Sequence, residues 1–202
     1  MEKVIAICGA GGKTTMIRRL AEKYRSQGKK VLVTTTTKMF REAFTVTDSE
    51  KEMKQALAEG FVMAGTPFQT ADGSEKITAL PEDVYARLCA EADIVLVEAD
   101  GSRHHSVKVP NETDIVLPSN VTDIYIIMGT GDIGRPVTEA VHRSELLADL
   151  GIAADALLSQ EIIDTIIDRK YLQYCRKNAQ NASCRIFYSY MENETLQFTE
   201  RI

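Results

Sequence analysis

One short segment constrains this chain more than any other, a glycine-rich turn between an apolar run and an amphipathic helix. The apolar residues 4–8 lead into GAGGKTT at residues 9–15, after which apolar side chains recur at helical spacing as far as Tyr24. Gly28 lies where a left-handed residue commonly ends such a helix, and a second apolar run follows at 31–33. A strand, a helix and a strand at this spacing predict a right-handed βαβ unit with parallel strands.

The rest of the chain continues to alternate apolar runs with amphipathic segments, which predicts an α/β protein with a mostly parallel sheet. Further strands are expected at residues 61–64, 94–97, 115–117, 124–128 and 186–190, with 196–199 as an edge hairpin partner. Helices are expected at 49–59, 81–92, 138–150 and 159–170, and a loop at 65–74. Because no repeat or linker divides the chain, residues 1–202 are predicted to form a single three-layer domain with helices on both faces of the sheet.

The glycine-rich turn has the composition of a loop that binds phosphate. Glycines let backbone N–H groups approach an anion closely, and the helix N-terminus adds unpaired donors and a favourable dipole. Lys13 would reach the β- and γ-phosphates of a nucleotide, and the hydroxyl of Thr14 would ligate Mg²⁺. The segment therefore predicts a nucleotide site in which the phosphates are bound by Gly9, Ala10, Gly11, Gly12, Lys13, Thr14 and Thr15.

The spacing of this loop is shorter than that of the common phosphate loop. The usual G-x-x-x-x-G-K-[ST] would need a glycine at Ile7, so the chain carries G-x-x-G-K-T, which resembles the loop of Mur-type peptide ligases. The dinucleotide fingerprint G-x-G-x-x-G fits less well, because Thr14 occupies its third glycine position. A nucleoside triphosphate is therefore favoured over a dinucleotide.

Two carboxylates follow the apolar run 94–97 and are candidates for holding the metal. Glu98 and Asp100 project to the same side of an extended chain, so both are expected to face the phosphates. Lys13, Glu98 and Asp100 are the predicted catalytic residues. The predicted Mg²⁺ ligands are Thr14, Glu98 and Asp100.

Polar and basic residues are expected at the same edge of the sheet. The threonines 34–37 and Lys38 follow the second strand, and Thr36 and Lys38 are predicted to bind phosphate or Mg²⁺-bound water. Arg103, His104, His105 and Lys108 form a basic loop, which indicates an anionic small-molecule acceptor near Lys38, Arg103 and Lys108. The glycine-rich segment 129–136 either lines a nucleotide base or second substrate, or is a plain connection.

Composition narrows the classes of partner. The chain has 24 Lys+Arg against 29 Asp+Glu and no basic run, which argues against binding to nucleic acid. No apolar stretch reaches the ~18 residues of a membrane span, and the run before Gly9 is too short for a signal peptide. The four cysteines include no C-x-x-C pair. We therefore expect a cytoplasmic protein with reduced thiols and without a membrane partner.

Five short blocks resemble the YqeC family in order and spacing: ICGAGGKTT at 7–15, VTTTTK at 33–38, VEADGS at 97–102, KVP at 108–110 and HR at 142–143. Members of that family are described as accessory proteins of selenium-dependent molybdenum hydroxylases. The resemblance implies a P-loop NTPase-like fold and a role in maturing a selenium-dependent molybdenum cofactor or hydroxylase. It also implies, as a protein partner, a molybdenum hydroxylase or a cofactor-maturation protein.

The C-terminal segment departs from that family. Longer relatives carry an Asn-Lys-x-Asp-like segment after the last strand, whereas here 186–190 runs into MEN at 191–193. The departure favours ATP over GTP, and GTP stays open. The predicted function is Mg²⁺-dependent nucleotide binding with phosphoryl transfer or hydrolysis. Two alternatives remain, a nucleotide-gated chaperone or scaffold for cofactor delivery with little turnover, and a loop that binds no nucleotide.

Overall fold

The computed structural model describes residues 3–42, 45–47, 49–70, 73–101 and 105–201. The strands in chain order are β1 (Lys3–Gly9), β2 (Val31–Thr35), β3 (Lys38–Phe40), β4 (Phe61–Met63), β5 (Thr66–Gln69), β6 (Glu75–Thr78), β7 (Ile94–Glu98), β8 (Val107–Lys108), β9 (Asp123–Gly129), β10 (Val141–His142), β11 (Ser183–Glu192) and β12 (Thr195–Glu200). The α-helices are α1 (Lys13–Ser26), α2 (Glu50–Ala58), α3 (Glu82–Glu91), α4 (Val137–Ala140), α5 (Gln160–Ile166) and α6 (Gln173–Asn178). A π-helical turn, Ile167–Leu172, joins α5 to α6.

The main sheet has seven strands in the order β12-β11-β9-β1-β7-β2-β4. All neighbours are parallel except the β11–β12 hairpin at one edge. The central strands are continuous apolar runs because they are buried on both faces, as parallel strands usually are. The expected α/β fold with a mostly parallel sheet is therefore confirmed, and β1, which precedes the glycine-rich turn, lies at its centre.

Helices cover both faces of the main sheet. Alternate residues of β1 point to opposite sides, so Ile5 and Ile7 pack with α1 while Ala6 and Cys8 pack with α5 and its neighbours. Next to the latter group, α2 and α3 cover β2, β4 and β7. No helix in the described ranges is long and apolar enough to cross a membrane.

A second, smaller sheet stands at the carboxyl end of the main one. Its order is β3-β6-β5, with antiparallel neighbours, and the chain enters it after β2 and again after β4. Met39 of β3 and Ile77 of β6 are buried in the cluster that includes α1. One face of this sheet is therefore fixed to the core, and the side chains that alternate with these two lie on the other face.

Three expectations about local structure are wrong. Residues 65–74 include β5, because Pro67 is tolerated in an edge strand of the small sheet. Residues 138–150 are not one helix: α4 stops at Ala140, β10 pairs with β8, and Arg143 has a left-handed φ of 63° before a 3₁₀ segment, Ser144–Leu150.

The third wrong expectation is a strand at 115–117. The N–H of Val116 donates to the carbonyl of Ala99 at 2.9 Å, and the carbonyl of Ile115 accepts the hydroxyl of Tyr174 at 2.6 Å. The backbone of this segment therefore bonds to a loop and to a helical side chain, and it crosses the end of the sheet without joining it.

Candidate functional site

The candidate site is the crevice at the carboxyl ends of β1 and β7, which are neighbours in the sheet. After β1 the chain passes to α1 on one face of the sheet, and after β7 it packs into the cluster on the opposite face. Connections that leave adjacent parallel strands in opposite directions open a crevice, which is where ligands of open α/β sheets bind.

The glycine-rich turn is packed tightly against the loop that follows β9. The N–H of Ala10 donates to the carbonyl of Ile127 at 2.8 Å. A Cβ atom on Gly11 would lie 2.6 Å from the amide nitrogen of Gly129 and 2.8 Å from the carbonyl oxygen of Ser106. Only glycine fits this position, so close packing fixes the conformation of the turn and leaves its backbone without a side chain at Gly11.

The N-terminus of α1 has no side-chain cap. Gly12 is the N-cap and the first turn contains no acidic residue, whereas the N-cap of α2 is Ser49, whose hydroxyl accepts the N–H of Glu52 at 3.2 Å. The first N–H groups of a helix have no partner within it. Those of α1 therefore face the crevice with the positive end of the helix dipole. Thr14, in this first turn, is exposed and lines the crevice.

Asp100 lies beneath the turn. Its side chain is fully buried and accepts the N–H of Gly9 on both oxygens, each at 3.1 Å. The ammonium of Lys13 is 3.2 Å from Oδ1 of Asp100 and donates to the carbonyl of Gly9 at 2.7 Å. Both carboxylates were expected to face the phosphates, but only Glu98 lines the cleft, whereas Asp100 is engaged with Gly9 and Lys13. Asp100 therefore contacts both ends of the turn, Gly9 and Lys13, from its buried side.

The buried carboxylate of Asp100 is part of a larger charged network. Lys108 is also buried, with its ammonium 3.6 Å from Asp100 and 3.3 Å from Asp114, and it donates to the carbonyl of Gly101 at 2.6 Å. Lys108 is therefore an internal counter-ion, and its expected position beside an acceptor is wrong. Tyr171 donates to Asp100 at 3.3 Å, and burial raises the pKa of this phenol well above its usual value, so it stays protonated.

Glu98 brings a carboxylate to the crevice wall. It pairs in register with Ile7 of β1, and its carbonyl accepts the Thr35 hydroxyl at 2.9 Å. Within the described ranges its carboxylate has no hydrogen bond or ion pair. Burial raises the pKa of Glu98 to about 7, because removal from water outweighs the attraction of the Lys13 ammonium.

The crevice widens into a cleft of about 690 Å³ between the glycine-rich turn and the small sheet. Lys38 lies on its wall and is exposed, with its ammonium 3.9 Å from the ring centre of Phe68. Thr36 has a different position, since its hydroxyl donates to the carbonyl of Val116 at 2.5 Å. Ser102, Arg103 and His104 lie outside the described residues.

Lys76, on β6, also lines the cleft, although no motif in the sequence singles it out. Asp72-Gly73, a dipeptide typical of hairpins, lies between β5 and β6 and could have predicted this connection. It does not predict the register that places Lys76 opposite Phe68.

The glycine-rich segment 129–136 supports the turn from behind. The N–H of Gly129 donates to the carbonyl of Ser106 at 2.7 Å, and Asp132 accepts the hydroxyl of Ser106. None of its residues is among those that line the cleft. In the described structure it acts as a packing partner of Gly11.

Comparison with known proteins gives two matches. A family model described as YqeC protein matches residues 5–145. The Escherichia coli (strain K12) protein named "Uncharacterized protein YqeC" is 31% identical over 194 residues, which cover 92% of this chain and 74% of that protein. No solved structure matches the chain.

Proposed function

The chain belongs to the YqeC family, and from the geometry of its site we propose that it binds a nucleoside triphosphate with Mg²⁺ and transfers or hydrolyses the γ-phosphate. In this proposal the fold is P-loop NTPase-like and ATP is the favoured nucleotide, with GTP as the alternative. The turn at Gly9, Ala10, Gly11 and Gly12 and the first turn of α1 bind the phosphates, with Lys13 as their cation.

One observation carries this proposal. The uncapped N-terminus of α1, Lys13 and Glu98 all line the same cleft. Unpaired backbone donors and a lysine favour a phosphate chain, and a carboxylate beside them favours the divalent cation that accompanies it. A glycine turn with a purely structural role would have no need of this carboxylate in its cleft.

The donor set fits Mg²⁺ that arrives with a nucleotide. Within the described ranges, no three His, Cys, Asp or Glu side chains converge on one point. Mg²⁺ usually keeps several waters and takes one or two protein carboxylates with phosphate oxygens. Glu98 and the exposed hydroxyl of Thr14 would supply the protein oxygens, directly or through water. When bound, Mg²⁺ neutralises charge that develops on the phosphates.

Catalysis in such a site is positioning and charge stabilisation. Lys13 is oriented by two contacts, to Gly9 and to Asp100, so little side-chain freedom is lost when phosphate binds. Asp100 is the positioning residue beneath the loop, and Glu98 is the carboxylate that the cleft exposes to a ligand. We assign the metal to Glu98 first, since the oxygens of Asp100 are engaged with Gly9, Lys13 and Tyr171.

For the biological process we propose, on the family resemblance, maturation of a selenium-dependent molybdenum cofactor or hydroxylase. The partner in that process would be a molybdenum hydroxylase or a cofactor-maturation protein. The second candidate function is a nucleotide-gated chaperone or scaffold. The contacts between the loop and the buried Asp100–Lys108 network favour it. Turnover that rises only with a partner protein would favour this candidate.

Calorimetric titration with ATP and with GTP, each with and without Mg²⁺, tests the proposal. We expect one nucleotide to bind only with Mg²⁺, and Lys13→Gln to weaken its affinity by about 100-fold, as loss of a buried charged contact does. Lys23→Gln is the matched control, because Lys23 is exposed on the same helix and does not line the cleft. A wild-type protein that binds neither nucleotide, or a Lys13→Gln protein that binds as well as wild type, would refute the proposal.

A further inference from the structure

The outward face of the small sheet has an unusual composition for a surface. The residues that alternate with buried Met39 and Ile77 lie in register across the three strands, Phe40 beside Lys76 and Lys76 beside Phe68, with Lys38 beside Thr78. Two lysines and two phenylalanines therefore share one face, which we call the Lys–Phe face: Lys38, Phe40, Phe68 and Lys76.

Aromatic rings hold both lysines of this face in place. The ammonium of Lys38 is 3.9 Å from the ring centre of Phe68, and that of Lys76 is 4.6 Å from the ring centre of Phe40. Such cation–π contacts restrict long side chains that would otherwise be mobile. Phe40 nevertheless leaves 49% of its surface exposed, so a flat apolar area remains beside the two cations.

The charges around the cleft leave these lysines available. Lys13 is matched by Asp100 beneath the loop, and Arg18 forms an ion pair with Glu42. Neither Lys38 nor Lys76 has a carboxylate within ion-pair distance among the residues that the structure describes. Both line the cleft opposite the glycine-rich turn. The wall that faces the proposed nucleotide site is therefore cationic and partly aromatic.

We propose that the Lys–Phe face binds a second ligand of the cleft, a small organic anion with a flat aromatic body. A phosphate or carboxylate group would lie between the ammonium groups of Lys38 and Lys76, and the ring would stack on Phe40. This inference deepens the proposed function, and it rests on that function only for the ligand's role as the acceptor.

The test uses 1-naphthyl phosphate as the probe, titrated into the full-length protein with saturating Mg²⁺ and a non-hydrolysable ATP analogue. Inorganic phosphate and 1-naphthol, which carry the anion and the ring separately, are titrated in parallel. We expect 1-naphthyl phosphate to bind at one site and at least 10-fold more tightly than either fragment. Equal affinities of the probe and inorganic phosphate would overturn the inference.

Variants assign the binding to this face. We expect the double variant Lys38→Gln/Lys76→Gln to weaken probe binding by at least 10-fold, and Phe40→Ala by about 5-fold. The double variant Lys29→Gln/Lys51→Gln removes the same charge from exposed positions outside the cleft and should bind like wild type. If both double variants lost affinity equally, the effect would be due to net charge, and the assignment of probe binding to the Lys–Phe face would be overturned.

Two further outcomes separate this inference from the proposed function. If the nucleotide analogue binds but competes with the probe, the lysines bind the nucleotide and the second-ligand site is refuted. If the wild-type protein binds no nucleotide while the probe still depends on Lys38 and Lys76, the ligand face stands and only its role as an acceptor site falls. Circular dichroism of each variant checks that the fold is intact.

Discussion

The amide N–H of Gly9 donates to both carboxylate oxygens of Asp100, at 3.1 Å each, across 91 residues of sequence. The contact joins the end of β1 to the chain just beyond β7, and so it fixes the glycine-rich turn relative to the neighbouring strand. Since Lys13 and Lys108 flank the same carboxylate, its charge also balances two buried ammonium groups.

Replacement of Asp100 by Asn should therefore destabilise the protein and loosen the turn. The amide keeps the shape of the side chain but leaves Lys13 and Lys108 without their shared negative charge. We expect a loss of about 3 kcal/mol in the free energy of unfolding, as for other broken buried ion pairs. Urea denaturation measures it. Asp149→Asn is the control because Asp149 is largely exposed, and an Asp100→Asn protein as stable as this control would contradict the anchoring role.

Replacement of Gly11 by Ala tests how closely the turn is packed. Gly11 and Gly28 both have left-handed φ angles, 82° and 73°, but only Gly11 has backbone atoms within 3 Å of the position that a methyl carbon would occupy; Gly28 has nothing within 4 Å. Gly28→Ala should therefore cost about 1 kcal/mol, from the backbone conformation alone. Gly11→Ala should cost about 2 kcal/mol more and abolish nucleotide binding, because the turn must move. Equal losses of stability in Gly11→Ala and Gly28→Ala, measured by thermal unfolding, would show that the turn has space for a methyl group at Gly11.

The parts of the fold that could be predicted are those in which short-range pattern decides the outcome. The continuous apolar runs of β1 and β7 predict buried parallel strands, and the period of α1 predicts its inner face. The position of β7 between β1 and β2 depends on pairing between distant segments, which no local pattern encodes. That position nevertheless decides that Glu98 faces the cleft.

The differences between expectation and structure at the site have local physical causes. An extended chain would place Asp100 on the same side as Glu98, but the folded chain buries Asp100 against Gly9 and Lys13, and only Glu98 lines the cleft. A basic residue in a loop is usually solvated and available to a ligand, whereas two carboxylates within 4 Å of its ammonium, those of Asp100 and Asp114, allow the burial of Lys108. Both outcomes depend on contacts that form only in the folded chain.

Glu98 should make the stability of the metal-free protein depend on pH. Its pKa is about 7 when folded against an ordinary 4.5, so the unfolded chain releases this proton first as pH rises. Glu98 therefore contributes about 3 kcal/mol to the free energy of unfolding below pH 4.5, and this contribution is lost as the pH rises through about 7. Glu98→Gln removes the effect, so its stability relative to wild type should increase across this window when measured in EDTA. The exposed control Glu112→Gln should differ from wild type by a free energy of unfolding that does not change across this window. The same result for Glu98→Gln would refute the raised pKa of Glu98.

Cys184 should be the most reactive of the four thiols. It is exposed, while Cys8, Cys89 and Cys175 are buried, and a hydrogen bond from the Cys175 thiol lowers its pKa, with Arg176 adding a smaller attraction. Because the thiolate is the nucleophile, alkylation by iodoacetamide should modify Cys184 first and at a lower pH than an ordinary thiol. Cys175→Ala removes the donor and should move the pH profile of Cys184, followed by peptide mass spectrometry, toward that of a free cysteine. Cys89→Ala should leave the profile in place, and an unchanged profile in Cys175→Ala would show that the thiol pair does not control this reactivity.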